Sequence, residues 1–391
     1  MKLLRLGLLP RVIVAIILGV TLGGILTTPW VRILSTFDYI FGQFLNFMVP
    51  LIVVGLVTPA IIDSGRSAKR ILGVTVVMAY ADTVLASMIG YGVGSFLFPD
   101  MVNGCDVSGL VDGSDSVPPY FTLNIPPMMD VLSALVLSFV AGLSAAYTPA
   151  PTMRGLFLEL KTVIHDVIRK VIVPCLPIYV FGIFLTMTFT GAVYGILHTF
   201  AQVVVVIFAL HIFVLTYLFC LAGIVTRRNP LKLIRHMLPA YFTALGTSSS
   251  SATIPVTLAQ AHEAGVKANI AGFTIPLCAA IHMPGSAMKI TSCALAVCMI
   301  WGMPHDALHF LHFVMLLGVM MMAAPGVPGA TVLAAIAPMS SVLGFGDDQN
   351  ALMISLFVAM DSFGTACNVT GDGALALMID KITSQKVEAV E

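Results

Sequence analysis

The sequence predicts an all-α polytopic membrane protein, with eight transmembrane helices and two re-entrant helical hairpins entering from opposite faces; three observations predict it. Apolar residues make up 58% of the chain and charged residues only 10%, at a mean hydropathy of +1.00. No soluble domain of this length needs such a composition. Apolar runs long enough for a hydrocarbon core of about 30 Å recur at 6–27, 37–62, 71–98, 128–147, 171–190, 193–225, 270–301 and 351–382. Basic side chains, finally, gather at alternate ends of those runs.

Lys2, Arg5, Arg66, Lys69, Arg70, Arg154, Lys161, Arg169, Lys170, Arg227, Arg228, Lys232, Arg235, Lys381 and Lys386 mark the ends expected in the cytoplasm. The opposite connections carry Asp100, Asp106, Asp112, Asp115, Asp306, Asp347 and Asp348, with Arg32 as their clearly placed basic residue. Both termini are then expected in the cytoplasm. The first run follows basic residues, but it is long and has no clear small-residue cleavage site, so it reads as a retained helix rather than a signal peptide. A formal net charge of zero hides this sidedness and implies no nucleic-acid partner.

Two further apolar stretches, 231–266 and 308–343, are interrupted by Ser, Pro and Gly, and charge parity holds only if neither crosses. The first contains five consecutive hydroxyl residues, Thr247 to Ser251, followed by Pro255. Hydroxyls satisfy a backbone turning at membrane depth, where irregular chain survives only beside protein or a watery cavity. In the second, Ala323-Ala324-Pro325-Gly326-Val327-Pro328-Gly329-Ala330 makes a tip of small residues and helix breakers. A third break falls at His282-Met283-Pro284-Gly285 inside the seventh run, where freed carbonyls suit a cation and a half-helix N-terminus suits an anionic group. Paired broken elements in oppositely oriented halves point to a transporter site.

In the last run, Asp361, Thr365, Asn368 and Asp372 recur at spacings of four, three and four and so share one stripe of a helix. A charge at membrane depth costs about 2.5–3.5 kcal/mol on insertion scales, so the stripe is expected to face a bundle interior and an ion or substrate path. Asp361 and Asp372 lie about 16 Å apart along such a helix, too far for the carboxylate dyad of an intramembrane protease. A channel or receptor gives no reason for opposed hairpins. With no nucleophile–base constellation or cofactor fingerprint, the chain reads as a carrier rather than an enzyme, with no cofactor. The seven cysteines, of which only Cys105 falls in an external loop, form neither a disulfide frame nor a metal motif. His305, His309 and His312 beside Asp306 could bind zinc or sense pH, but an interfacial aromatic face is the simpler reading.

At these residues the chain resembles the dicarboxylate/amino acid:cation symporter family, which includes glutamate and neutral amino acid transporters. The resemblance spans nearly the whole chain. It is carried by Ser249-Ser250-Ser251-Ala252-Thr253-Ile254-Pro255, by Gly326-Val327-Pro328-Gly329-Ala330 and, letter for letter, by Asn368-Val369-Thr370-Gly371-Asp372. Asn46-Phe47-Met48-Val49-Pro50-Leu51 and Tyr80 with Thr83 add weaker support. The resemblance implies a homotrimer in a plasma (inner) membrane and an elevator mechanism with inverted repeats. Scaffold helices would occupy 1–70 and, after an external loop, 99–190. The transport domain would comprise helix 3 (71–98) and 191–391, with hairpin 1 at 230–266, a broken helix 7 at 268–302, hairpin 2 at 307–345 and helix 8 at 350–382.

Carried over by position, Asp361 matches the carboxylate that holds a substrate ammonium, and Thr365 and Asn368 match contacts to the amino acid head. Ser249, Ser250 and Ser251 match hairpin groups that receive the substrate carboxylate, and Val327 and Gly329 fall in the second tip. Tyr80, Thr83, Asn368 and Asp372 match positions that serve sodium. Where acidic-substrate members place an arginine, this chain has Gly364, which favours a small neutral amino acid. The family's Asn-Met-Asp-Gly break reads His282-Met283-Pro284-Gly285, while Cys278 and Ala280 replace a glycine and a threonine. An imidazole is a poor ligand for a hard cation, so at least one sodium site is expected to be lost. Lys289, seven residues after His282 and so on the same face of a continuous helix, joins Asp82 and His282 as the expected titrating group. A fixed Lys289–Asp82 ion pair is the rival reading. The resulting expectation is a proton-coupled symporter of a small neutral amino acid; the alternative is sodium-coupled transport of acidic amino acids or dicarboxylates.

Overall fold

A computed structural model describes residues 8–63, 69–102, 117–129, 131–189, 193–322 and 330–385. The tip at 323–329, with Val327 and Gly329, lies outside them, as do Cys105, Asp106, Asp112, Asp115, Lys2, Arg5, Arg66 and Lys386. The described residues form fifteen α-helices and one short π-helical turn, and no strand. Four helical stretches, Ile71–Val102, Lys170–Phe189, Thr199–Thr226 and Ala268–Ile300, are long and apolar enough to cross a membrane. Large apolar side chains such as Phe96, Val205, Ile212 and Ile224 stand exposed on the outside, where a water-soluble protein would hide them.

The first helices are α1 (Leu8–Gly23), α2 (Thr28–Asp63), α3 (Lys69–Val102) and α4 (Val131–Tyr147). Then come α5 (Pro151–Val167), the π turn Ile168–Ile172, and α6 (Val173–Phe189). Gly19 and Gly23, one turn apart, bring α1 against the backbone of α6: a Cβ at Gly19 would stand 2.9 Å from the Phe181 carbonyl oxygen, and one at Gly23 would stand 2.6 Å from that of Leu185. Spaced small residues let membrane helices approach this closely.

Helix α7 (Val193–Thr226) leads into the first hairpin, α8 (Pro230–Thr247) and α9 (Ser250–Glu263), whose arms pack on each other. Asn229 caps α8 by accepting the Leu231 N–H, and Pro230 sits at its first position, where no N–H is needed. Ser248 then turns left-handed at φ 50°, and the Ser249 hydroxyl accepts the Ala252 N–H to start α9. The run of hydroxyls is thus a two-residue reversal between helices.

The seventh run is a true break rather than a kink, with α10 (Ala268–Ile281) and α11 (Pro284–Ile300) separated by extended His282 and Met283. Protein covers 94% of its most apolar window, against 33–50% for the other three long stretches, so this helix forms the axis of the molecule. The stretch expected to form the second hairpin carries α12 (Ala307–Met321) and α13 (Ala330–Ser341), which pack on each other.

The final run departs from a single straight helix. It is bent by 64° between α14 (Asp347–Ala359) and α15 (Asp361–Gln385). Met360 donates to the Phe357 carbonyl, and the Phe363 and Gly364 N–H groups turn back to the Met360 carbonyl. Met360 itself leaves helical geometry, at φ −111° and ψ 10°, and the bend falls there. Apolar packing runs without interruption from α1, α2 and α4–α6 into α11–α14, while a second core joins α3 and α7–α10 to α15.

Candidate functional site

Where the broken helix passes between α3 and α15, the exposed ends of its backbone need partners and find them in side chains. His282, at the break, is buried with Asp82 of α3 on one side and Asp372 of α15 on the other. Its Nε2 lies 2.8 Å from Asp82 Oδ2 and its Nδ1 lies 2.9 Å from Asp372 Oδ1. The Tyr217 hydroxyl of α7 donates to the other Asp82 oxygen. Gly371 lets the ring lie flush on α15, since a Cβ there would stand 3.1 Å from His282 Cε1.

A neutral imidazole has one N–H, yet both ring nitrogens here face carboxylate oxygens. Two hydrogen bonds therefore need two protons: the ring is an imidazolium, or one aspartate is a carboxylic acid. In either form the trio carries one proton beyond a neutral histidine with two ionised aspartates.

One helical turn towards the start of α15, Asn368 closes the exposed N-terminus of α11. Its Oδ1 accepts from the Gly285 and Ser286 N–H groups at 2.8 and 3.3 Å, and its Nδ2 donates to Ser286 Oγ at 3.0 Å. Gly285 permits this approach, because a Cβ there would lie 2.6 Å from Cys367 Cβ and 2.9 Å from the Gly364 carbonyl oxygen. The Gly285 carbonyl lies 3.2 Å from His211 Nε2 of α7.

Asp361 is buried in the first turn of α15, where the helix dipole favours a carboxylate. The neighbouring Thr365 hydroxyl, also buried, donates to the Asp361 carbonyl. The hairpin tip reaches this turn through Ser248, whose Oγ is 2.6 Å from Ser362 Oγ. Of the three serines expected at the site, Ser249 caps α9, Ser250 is buried, and Ser251 is exposed.

Lys289 does not join His282. The chain leaves helical geometry at His282 and Met283, so the seven-residue spacing no longer places the two on one face. Fully buried, Lys289 instead donates from Nζ to the Phe357 carbonyl at 3.3 Å and stands 3.4 Å from the centre of the Phe357 ring. A cation at the last turn of α14 meets the negative helix end and an aromatic face together. Nζ also lies 3.2 Å from where a Cβ on Gly364 would be.

Tyr80 points elsewhere, donating to the Met315 carbonyl of α12 at 3.0 Å, whereas Thr83 stays at the break and accepts the Met283 N–H at 3.4 Å. Near the second hairpin, His305 contacts the Met303 carbonyl, and Asp306 caps α12 through the Leu308 and His309 N–H groups. No local pattern singles out Tyr217, Ser362, His211 or Phe357, since each is an ordinary member of an apolar or polar stretch. Only the long-range packing distinguishes them.

The chain matches the sodium:dicarboxylate symporter family model over residues 8–382. Among similar proteins are the serine/threonine transporters SstT of Acinetobacter baumannii strains AYE and AB0057, each 28% identical over 96% of this chain and 97% of the relative. These are carriers of small molecules with a coupling ion rather than enzymes, in keeping with several apolar helices in one chain. From a family match over nearly its whole length, on a helical multi-pass frame whose polar residues converge at a helix break, the chain belongs to the sodium:dicarboxylate symporter family.

Proposed function

We propose that this protein is a secondary active symporter that carries a small neutral amino acid together with a proton. The observation that supports the reading is His282 held at the helix break between Asp82 and Asp372, a geometry suited to a proton carrier. Asp372 and Asn368, which resemble sodium ligands by position, spend oxygens on His282 Nδ1 and on the α11 N-terminus. Serine and threonine are the proposed substrates, in line with the names of the relatives. Asp361 would hold the ammonium, and the α9 tip around Ser249 and Ser250 would receive the carboxylate. Eight spans, two re-entrant hairpins, a homotrimer, an inner-membrane location and an elevator movement of α3 and α7–α15 complete the proposal.

The test is uptake of labelled serine into proteoliposomes in sodium-free buffer, with and without an acid-outside gradient. Gradient-driven accumulation is expected, and strict dependence on sodium overturns proton coupling. Asp361→Asn is expected to abolish binding of any ammonium-bearing ligand in a thermal-shift assay; retained binding removes Asp361 from its role.

A second reading, an acidic substrate, is favoured by one contact. The Lys289 ammonium stands 3.2 Å from the point where a side chain at position 364 would begin, so a cation is present despite the glycine. Aspartate or glutamate outcompeting serine, with loss of that preference in Lys289→Met, would select this reading.

A further inference from the structure

Lys289 takes no part in the His282 trio, yet it is fully buried beside the turn of α15 proposed to hold the substrate. A buried ammonium needs acceptors and a counter-charge. Of its three N–H groups one goes to the Phe357 carbonyl, and the Phe357 ring covers a second side, but neither partner carries a full negative charge. The carboxylate whose charge acts on Lys289 is that of Asp361, which is itself buried.

The backbone explains why these two charges meet. Asp361 and Gly364 are three residues apart in α15, so they share one face of the helix with their Cβ positions about 5–6 Å apart. Lys289 Nζ stands 3.2 Å, and its Cε 3.5 Å, from where a Cβ on Gly364 would be. The ammonium therefore lies along the Asp361 face, over bare backbone that a larger side chain would cover. Its position is that of a cation placed where a substrate ammonium is proposed to sit.

We propose that the Lys289 ammonium is a tethered stand-in for the ammonium of the substrate: it neutralises Asp361 while the carrier is empty and yields that carboxylate when an amino acid binds. This inference rests on the reading of Asp361 as the ammonium-binding group. Lys289 keeps the Phe357 carbonyl and ring when it yields, so the exchange asks for no movement of a helix. An unpaired carboxylate is costly at membrane depth. With its own counter-cation the empty carrier returns without borrowing one from solution, and so accumulates substrate rather than only swapping it.

The experiment compares the native full-length chain with Lys289→Met and Lys289→Arg in proteoliposomes, measuring labelled serine taken up into empty vesicles and serine exchanged into vesicles preloaded with serine. The ratio of net uptake to exchange is expected to fall at least about tenfold in Lys289→Met, whose empty site holds an unpaired buried carboxylate, and to recover in part in Lys289→Arg, which restores the charge. Purified Lys289→Met is expected to bind serine at least about threefold more tightly, because the competing cation is gone. Without ligand its thermal midpoint is expected to fall, and adding Asp361→Asn to restore it by removing the unpaired charge. An unchanged ratio, weaker serine binding, or a midpoint that Asp361→Asn does not restore would overturn the proposal; weaker binding would show that Lys289 receives a substrate carboxylate instead. If the native chain neither takes up nor exchanges serine, the substrate reading alone fails, and the ligand-free midpoints still decide whether Lys289 serves Asp361.

Discussion

Asp82 and Asp372, 290 residues apart in the chain, reach the two nitrogens of one imidazole, so the three side chains form one hydrogen-bonded unit, the proposed proton carrier. His282→Gln keeps an amide that can pair with a carboxylate but cannot accept and release the proton at working pH. Its expected phenotype is serine uptake at least about tenfold slower and no longer responsive to an imposed pH gradient, since a well-placed proton carrier contributes about a hundredfold or more. Gradient-driven uptake that survives in the variant would remove His282 from the coupling step. The stripe on α15 was legible in the sequence because helical period alone aligns Asp361, Thr365, Asn368 and Asp372. The partners of that stripe were less so. Asp82 and His282 stood out as charges in apolar runs, but pairing across the fold has no local signature, and Tyr217 looked like any interior aromatic.

Breaks, rather than spans, organise the elements around the site. The break after α10 was marked by Pro284 and Gly285, and the reversal between α8 and α9 by its hydroxyls. The bend at Met360 is marked by no proline; there the residue itself leaves helical geometry. The same kind of interruption turns Lys289 away from His282 and onto Phe357, because helical spacing holds only while the helix continues. Gly285→Ala tests how closely α11 must approach α15. Its Cβ would meet Cys367 Cβ at 2.6 Å and the Gly364 carbonyl oxygen at 2.9 Å, an overpacking expected to cost about 1–3 kcal/mol of stability and to be read as a lower thermal midpoint. The bond between Ser248 and Ser362, which ties hairpin tip to helix start, is measured by a double-mutant cycle with Ser248→Ala and Ser362→Ala. A coupling energy of about 0.5–1.5 kcal/mol is expected, and none would mean that the tip is held by packing alone.

For the whole molecule, composition and charge sidedness were sufficient to set the class and the multi-pass character. The assembly and the membrane boundaries depend on surfaces that no residue pattern spells out. Ser251 is exposed at the tip of the first hairpin, which the proposed topology places within reach of the cytoplasm. A Ser251→Cys variant on a background free of reactive native cysteines is therefore expected to react with an impermeant thiol reagent added from the cytoplasmic side and not from outside. Labelling from outside would mean that the hairpin crosses. Native mass spectrometry is expected to give three copies per particle, and a monomer would remove the shared scaffold from the proposal.

Gly19 and Gly23 reduce the gap between α1 and α6 to bare backbone contact. Nothing as thick as an acyl chain fits between two rods so joined, and neither can glide along the other without lifting over the ridges of its neighbour. Helix α1 is thus riveted to α6, and whatever travels during a transport cycle must slip along some other seam.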